Sequence, residues 1–236
     1  AKFTETVPAV AHYFGSSVAL QGDTAMVGVP SANAYRGAVE VFVRDAGAWT
    51  RQARLVAADG EAGDQFGASI AVHGDTVAVG AFLDNVDGQQ WRGSTHVFVR
   101  NAGTWSLQQQ LWLDDAGGWA QFGMGMALEA DTLLVGARLD SIDVTYQGTV
   151  VHYAREGGVW VRQQKLRASD GAANDTFGHA LALSGDRVVV GAYTEEPAGV
   201  PSTTDAGAAY FYRIAPPVAL PPDIFADGFE QPAAPP

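Results

Sequence analysis

A segment of about 55 residues occurs four times along the chain and constrains its fold more than any other feature. Each copy opens with a Phe-Gly pair and an apolar run, passes through a tight turn and reaches a Val-Gly pair. The Phe-Gly pairs begin at Phe14, Phe66, Phe122 and Phe177, which gives spacings of 52, 56 and 55 residues. A fixed period in this range is typical of propellers and solenoids, whose units bury their apolar faces against their neighbours.

The second copy shows the expected anatomy of one unit. Alternating apolar residues predict a first strand at 66–72, and a tight turn separates it from a second strand at 77–82. Two further strands are expected, one from Gly93 to Arg100 and one from Trp105 to Leu113. Such a unit is an antiparallel meander whose strands are apolar on both faces, which favours sheets stacked around an axis. We therefore predict an all-β fold, a β-propeller of four four-stranded blades.

The repeat divides the chain into a propeller at 1–214, with units at about 14–65, 66–121, 122–176 and 177–214, and a Pro-rich tail at 215–236. The last unit ends after its third strand. Phe3 lies 11 residues before Phe14, the spacing that separates Leu55, Leu111 and Leu166 from the next Phe-Gly pair. We therefore expect residues 1–6 to complete the sheet of the last unit, either within the same molecule or in a second one.

The two halves of the motif resemble the FG-GAP repeat of integrin α subunits and of many bacterial secreted proteins. The second half reads Val-Gly followed by Val or Ala at Val27, Val79, Val135 and Val190, and the resemblance covers residues 14 to about 213. It implies a propeller that often holds calcium in an Asp-rich loop between its first two strands. Here that loop is a four-residue turn with one Asp, too short to wrap a calcium ion. We expect these Asp residues to serve the turn by accepting backbone N–H groups.

Composition excludes several classes of function. The net charge of −12 argues against nucleic acid as a partner, since only Lys2, Lys165 and 12 arginines oppose 26 acidic residues. The chain has no cysteine, which removes disulfides and thiolate chemistry, and no apolar run long enough to predict a membrane span. Together with the resemblance, this predicts a protein that is secreted, extracellular or held at a cell surface.

Candidates for chemistry are few. The longer loops hold Asp84, Asp87, Asp140 and Asp143, which are the remaining candidates for calcium, although solvated loop carboxylates are the favoured interpretation. The five histidines occupy different positions of the unit without metal-ligand spacing, and no serine lies in a nucleophile pattern. We expect no cofactor and no catalytic residue, and therefore not an enzyme.

Loop aromatics are the better candidates for ligand binding. Tyr35, Trp91 and Tyr146 each lie two residues before the glycine of a third strand, and Trp119 lies in a separate loop. A propeller would place the first three on one rim, where aromatic faces can stack on sugars. The favoured alternative is that these rings cap the ends of the sheet cores.

The termini are candidates for assembly. The tail contains Ile224, Phe225 and Phe229 on a Pro-rich arm and resembles a terminal signature of many secreted proteobacterial proteins. With Lys2 and Phe3 at the other end, these residues suggest contacts with a neighbouring subunit. We expect a non-catalytic structural or adhesive protein whose partner is another protein or a second copy, self-assembling into oligomers or filaments. A carbohydrate-binding propeller is the alternative.

Overall fold

The computed structural model describes residues 2–4, 12–196 and 206–214. Within them the chain forms 15 strands in four antiparallel sheets, three of four strands and one of three. Strand order in every sheet follows the sequence. The strands are β1 Val18–Gln21, β2 Thr24–Gly28, β3 Val39–Asp45, β4 Ala48–Leu55, β5 Ser69–His73, β6 Thr76–Ala81, β7 Ser94–Asn101, β8 Thr104–Leu111, β9 Phe122–Glu129, β10 Thr132–Ala137, β11 Thr149–Glu156, β12 Val159–Leu166, β13 Phe177–Ser184, β14 Arg187–Ala192 and β15 Ala208–Arg213.

Each sheet is one blade: β1–β4 form blade 1, β5–β8 blade 2, β9–β12 blade 3 and β13–β15 blade 4. Valine, alanine and leucine dominate the second strands, which are buried on both faces in blades 1, 2 and 3. Two-residue turns join the first two strands, with Gly22 at a φ of +54° in blade 1, as such hairpins require. One short element, α1 Ala32–Tyr35, is a left-handed turn rather than a regular helix.

Successive blades stack face against face. We call the face that packs on the next blade the front face, and the face that packs on the preceding blade the rear face. The front face of blade 1 presents Met26 and Val41, which share one apolar core with Phe66 and Val79 of the rear face of blade 2. Equivalent cores join blade 2 to blade 3 and blade 3 to blade 4.

The two halves of the repeated motif meet at every blade interface. The carbonyl group of Gly67 in blade 2 lies against Gly28 of blade 1, and the same approach joins Gly123 to Gly80 and Gly178 to Gly136. A Cβ atom at Gly28, Gly80 or Gly136 would lie less than 3.0 Å from that carbonyl oxygen, which real Cβ atoms essentially never do. The Val-Gly of one unit is therefore glycine because the Phe-Gly of the next unit occupies its side-chain space.

A second ladder crosses the same interfaces through Arg100 and Arg155. The Nε of Arg100 donates to Asp75 of its own blade at 2.7 Å, and its Nη1 donates to Thr24 of blade 1 at 2.9 Å. Its guanidinium also lies over the ring of Trp105, 5.1 Å from the centroid. Arg155 repeats all three contacts between blades 2 and 3. The turn Asp residues thus hold an arginine side chain, a role beyond the backbone hydrogen bonds expected of them.

The expected all-β fold of blade-like antiparallel sheets is confirmed. Blade 4 has three strands among the described residues, and residues 2–4 belong to none of the four sheets. Phe3 instead covers blade 1, stacked on Phe42 with ring centroids 4.4 Å apart and edge-on to Trp49 at 5.5 Å. The predicted completion of the last sheet by residues 1–6 is not seen in the part of them that is described.

A glycine replacement tests the blade contact. We expect Gly80→Ala to lower the free energy of unfolding by about 3 kcal/mol, because the new methyl group displaces the backbone of Gly123. Urea denaturation followed by circular dichroism measures the loss. The matched control is Gly117→Ala, whose Cβ would have no atom within 4 Å and whose φ is not positive. Equal stability of the two variants would contradict the role given to this contact.

Candidate functional site

The loop aromatics predicted from the sequence occupy equivalent places in blades 1, 2 and 3. Tyr35, Trp91 and Tyr146 all have positive φ, and their carbonyl groups accept hydrogen bonds from the next blade. The donors are the backbone N–H groups of the residues just before the Phe-Gly pairs, at distances of 2.8 to 3.2 Å. These three positions therefore bridge neighbouring blades through the backbone, while their rings remain half-buried or exposed.

The fourth aromatic candidate, Trp119, lies against Trp91. The ring centroids are 4.1 Å apart with an interplanar angle of 68°, and the N–H of Trp119 donates to the carbonyl of Gln90 at 2.7 Å. Trp119 keeps 42% of its surface exposed. The structure thus joins two of the four candidates into one aromatic pair, which sequence reasoning had placed in unrelated loops.

The four acidic candidates for a cation all have protein partners. Asp84 accepts a hydrogen bond from Ser94 at 2.6 Å, and Asp87 pairs with Arg92 at 3.2 Å. Asp140 is buried and pairs with Lys165 at 2.8 Å. Asp143 likewise pairs with Arg167 at 2.5 Å. Within the described residues, no group of three or more potential ligands is arranged to hold a metal ion.

The crevice between blades 1 and 2 gathers several carboxylates near one histidine. Burial raises the pKa of Asp64 to about 6, with the charges of Asp84 and Glu61 adding to the shift. Burial lowers the pKa of His96, whose Nε2 lies 3.4 Å from Asp59. Asp64 accepts the N–H of Glu61, so its carboxylate serves the loop that leads into the second Phe-Gly pair.

The glutamines of the fourth strands also have a role that the sequence did not reveal. The indole N–H of Trp160 in blade 3 donates to Gln108 of blade 2 at 3.0 Å, and Gln109 exchanges hydrogen bonds with the backbone of Trp160. Trp105 is held in the same way by Gln52 of blade 1, at 3.2 Å. The recurring Trp and Gln residues are partners across blade interfaces.

The rear face of blade 1 is open. Val18 and Leu20 on β1 are 71% and 68% exposed, although the equivalent residues of the other blades are packed against a preceding sheet. Together with Phe3, Val27 and Trp49 they line a groove of about 460 Å³. We call this surface the open rear face.

The front face of blade 4 is open as well. Phe211 on β15 is 80% exposed, and its neighbours on that face include Ala182 and Val189, which pair with one another across the strands. We call this surface the open front face. Of the residues proposed for assembly, Phe3 lines the open rear face and Lys2 is exposed beside it in the chain, while Ile224, Phe225 and Phe229 lie outside the described residues.

Comparison with protein families matches three segments of the chain, 49–98, 105–150 and 160–212, to the FG-GAP repeat. The chain belongs to the FG-GAP repeat family. Each matched segment starts at or next to a Trp of a fourth strand and ends in the third strand of the next blade. One FG-GAP unit therefore contains the elements that meet at a blade interface. No curated protein shows significant similarity to the chain.

In this FG-GAP protein, no helix among the described residues is long and apolar enough to cross a membrane.

His152 provides a test of packing in the interfaces between FG-GAP units. It occupies on blade 3 the row position of Val41 and Val97, is 2% exposed, and its Nε2 has no hydrogen-bond partner among the described groups. Burial lowers its pKa below 6.5. The unfolded chain then binds a proton at this site more readily, so stability is lost as the pH falls below about 6.5.

We expect His152→Leu to be more stable than the wild type at about pH 5, with a smaller difference at about pH 8, where the wild-type histidine is neutral in both states. Thermal unfolding at the two pH values measures this. The control is His73→Gln, at the turn between β5 and β6. If the wild type and His152→Leu respond identically to pH, the buried histidine is not the cause of the acid sensitivity.

Proposed function

We propose that this chain is a non-catalytic extracellular protein of structural or adhesive type, which acts by binding proteins and associates with itself. FG-GAP repeats are commonly involved in protein and adhesive interactions and are typically extracellular, which supports the class and the location. The observation that carries the proposal is the open rear face of blade 1.

That face is built like the inside of the protein. Along the rear face of blade 2, the cross-strand row Val72, Val77 and Phe98 packs into the core shared with blade 1. The equivalent row in blade 1 is Leu20, Ala25 and Phe42, and here Leu20 is 68% exposed. Contiguous exposed apolar surface of this kind marks an interaction site, because each Å² removed from water contributes about 25 cal/mol.

The absence of catalysis is supported by how the ionisable groups are used. Asp84 accepts a hydrogen bond from Ser94 and Asp64 accepts one from the loop backbone, so both shifted carboxylates fix local structure. Arg100 and Arg155 are committed to the ladder between blades. These groups contribute to stability in their own blades rather than converging on one pocket.

A charge on the open rear face tests the proposal. We expect the wild type to associate as its concentration rises, and Leu20→Glu to weaken association at least about tenfold, because a carboxylate would be buried without a partner. Sedimentation velocity measures both proteins. The charge-matched control is Ile142→Glu, which changes an exposed apolar residue of a loop away from this face. A wild type that stays monomeric at every concentration would remove self-association from the proposed function.

Carbohydrate binding is the second candidate, and the pair of Trp91 and Trp119 favours it. The two rings form a partly exposed aromatic surface on the rim, and such rings combine apolar contact area with little conformational entropy. Tyr35 and Tyr146 lie at equivalent places of blades 1 and 3 and would add contacts for a longer glycan. A protein of this kind binds sugars through stacking, without chemistry of its own.

A glycan array tests this alternative. If the paired tryptophans form the site, we expect at least one class of glycan to bind, and Trp119→Ala to weaken that binding about fivefold or more, the typical worth of an aromatic contact. The control is Tyr13→Ala, which removes an equally exposed ring from another loop. An array without any bound glycan, or binding that Trp119→Ala leaves unchanged, excludes this site.

A further inference from the structure

We propose that copies of this chain associate head to tail, with the open front face of blade 4 on the open rear face of blade 1 of a second copy. The contact would repeat the blade-to-blade interface that the chain already forms three times. The inference deepens the proposed self-association by naming the two surfaces and their order, and it rests on that function.

The open front face matches the front faces that are covered inside the chain. In blade 1 the row Ala19, Met26 and Val41 crosses the first three strands, and it packs against blade 2. In blade 4 the same row reads Ala182, Val189 and Phe211. The third member of this row is fully or almost fully buried in blades 1 to 3, yet Phe211 is 80% exposed. The surface is made for a neighbour of the same kind.

The glycine of this face is also conserved in its geometry. Gly191 stands where Gly28, Gly80 and Gly136 stand in the other blades, each facing the Phe-Gly carbonyl of the next blade. At Gly191 that space is open, since the nearest atom to an added Cβ belongs to Ala180 of the same sheet, at 3.5 Å. The front face of blade 4 therefore keeps the recess that receives a Phe-Gly pair.

The open rear face presents the matching half. Phe14-Gly15 begins blade 1 as the other Phe-Gly pairs begin theirs, and Gly15 has a φ of +94°, against +88°, +94° and +92° at Gly67, Gly123 and Gly178. Because the conformation is the same, the carbonyl of Gly15 is shaped to enter the recess at Gly191 of a second copy. Blade 1 thus carries the complete rear half of the interface.

Phe3 supplies the piece that blade 4 lacks. In the internal interfaces, Leu55 of a fourth strand lies in the core with Phe98 and Trp105 of the next blade. Blade 4 has no fourth strand among the described residues, but Phe3 rests on Phe42 and Trp49, the equivalents of Phe98 and Trp105. A three-stranded blade 4 can therefore dock beside Phe3, with Phe211 directed to the groove of about 460 Å³.

One position departs from the internal pattern and sets the strength of the contact. Arg100 and Arg155 donate to Thr24 and Thr76 of the preceding blade, and Thr132 occupies the same place in blade 3. Blade 4 has Arg187 there, and in the head-to-tail contact it would face Arg44 of the second copy. These like charges weaken the association, which keeps the copies separable.

The test uses the full chain and replaces Gly191. We expect Gly191→Ala to weaken association in sedimentation at least about tenfold, because the methyl group would clash with the Gly15 carbonyl of the second copy. Its melting temperature in dilute solution should equal that of the wild type, since the added Cβ has room in the single molecule. Gly117→Ala is the matched control, a glycine in open space away from both faces.

Mixing experiments test the order of the faces. Leu20→Glu keeps an intact front face and Gly191→Ala keeps an intact rear face, so each variant alone should be monomeric while an equal mixture forms mixed dimers. Phe211→Ser serves as a second front-face variant, since its ring is 80% exposed and not needed for folding. If instead two rear faces met one another, Leu20→Glu would abolish association and Gly191→Ala would not.

Removing the mismatch should strengthen the contact. Arg187→Thr restores the residue found in the first three blades, and we expect association about fivefold tighter than in the wild type. Unchanged or weaker association of Arg187→Thr overturns the alignment of the two faces. Association lost in Leu20→Glu but retained in both Gly191→Ala and Phe211→Ser overturns the head-to-tail contact and leaves the proposed protein-binding function standing.

Discussion

The structure depends on the close approach of one backbone carbonyl to one glycine, repeated at each blade interface. The Phe-Gly pair of one unit enters the space that a side chain would fill at the Val-Gly of the preceding unit. Because the sheets come this close, the aromatic and aliphatic side chains on either side can share one core. The remaining contacts, including the Arg-Asp ladder and the Trp-Gln pairs, are arranged around that approach and add direction to it.

Much of the fold could be predicted from the sequence because its signal is periodic. The spacing of the Phe-Gly pairs, the tight turns and the glycines before the third strands locate nearly every strand, and the family match agrees with them. The place of Phe3 could be predicted from its spacing, since Phe3 does sit where Leu55 sits in the next interface. What the spacing could not show is that the last sheet has three strands among the described residues.

The candidate site was less accessible to sequence reasoning, for physical reasons. Trp91 and Trp119 are 28 residues apart in different blades, and only the stacking of the sheets brings their rings together. Arg100 reaches Thr24 over a separation of 76 residues, so no local pattern links them. The acidic loop residues look like cation ligands in sequence because their basic and hydroxyl partners lie on other strands or blades. A repeat indicates which positions are equivalent, but not what faces them.

The boundaries of the FG-GAP unit differ from the boundaries of the sheets. A unit runs from the last strand of one blade through the first three strands of the next, whereas a sheet runs from one Phe-Gly pair to the next Trp strand. Duplicating a unit therefore inserts a whole interface with both of its halves, and leaves the flanking interfaces as they were. Chains of this type can change their number of blades by copying one gene segment, without any new contact having to evolve.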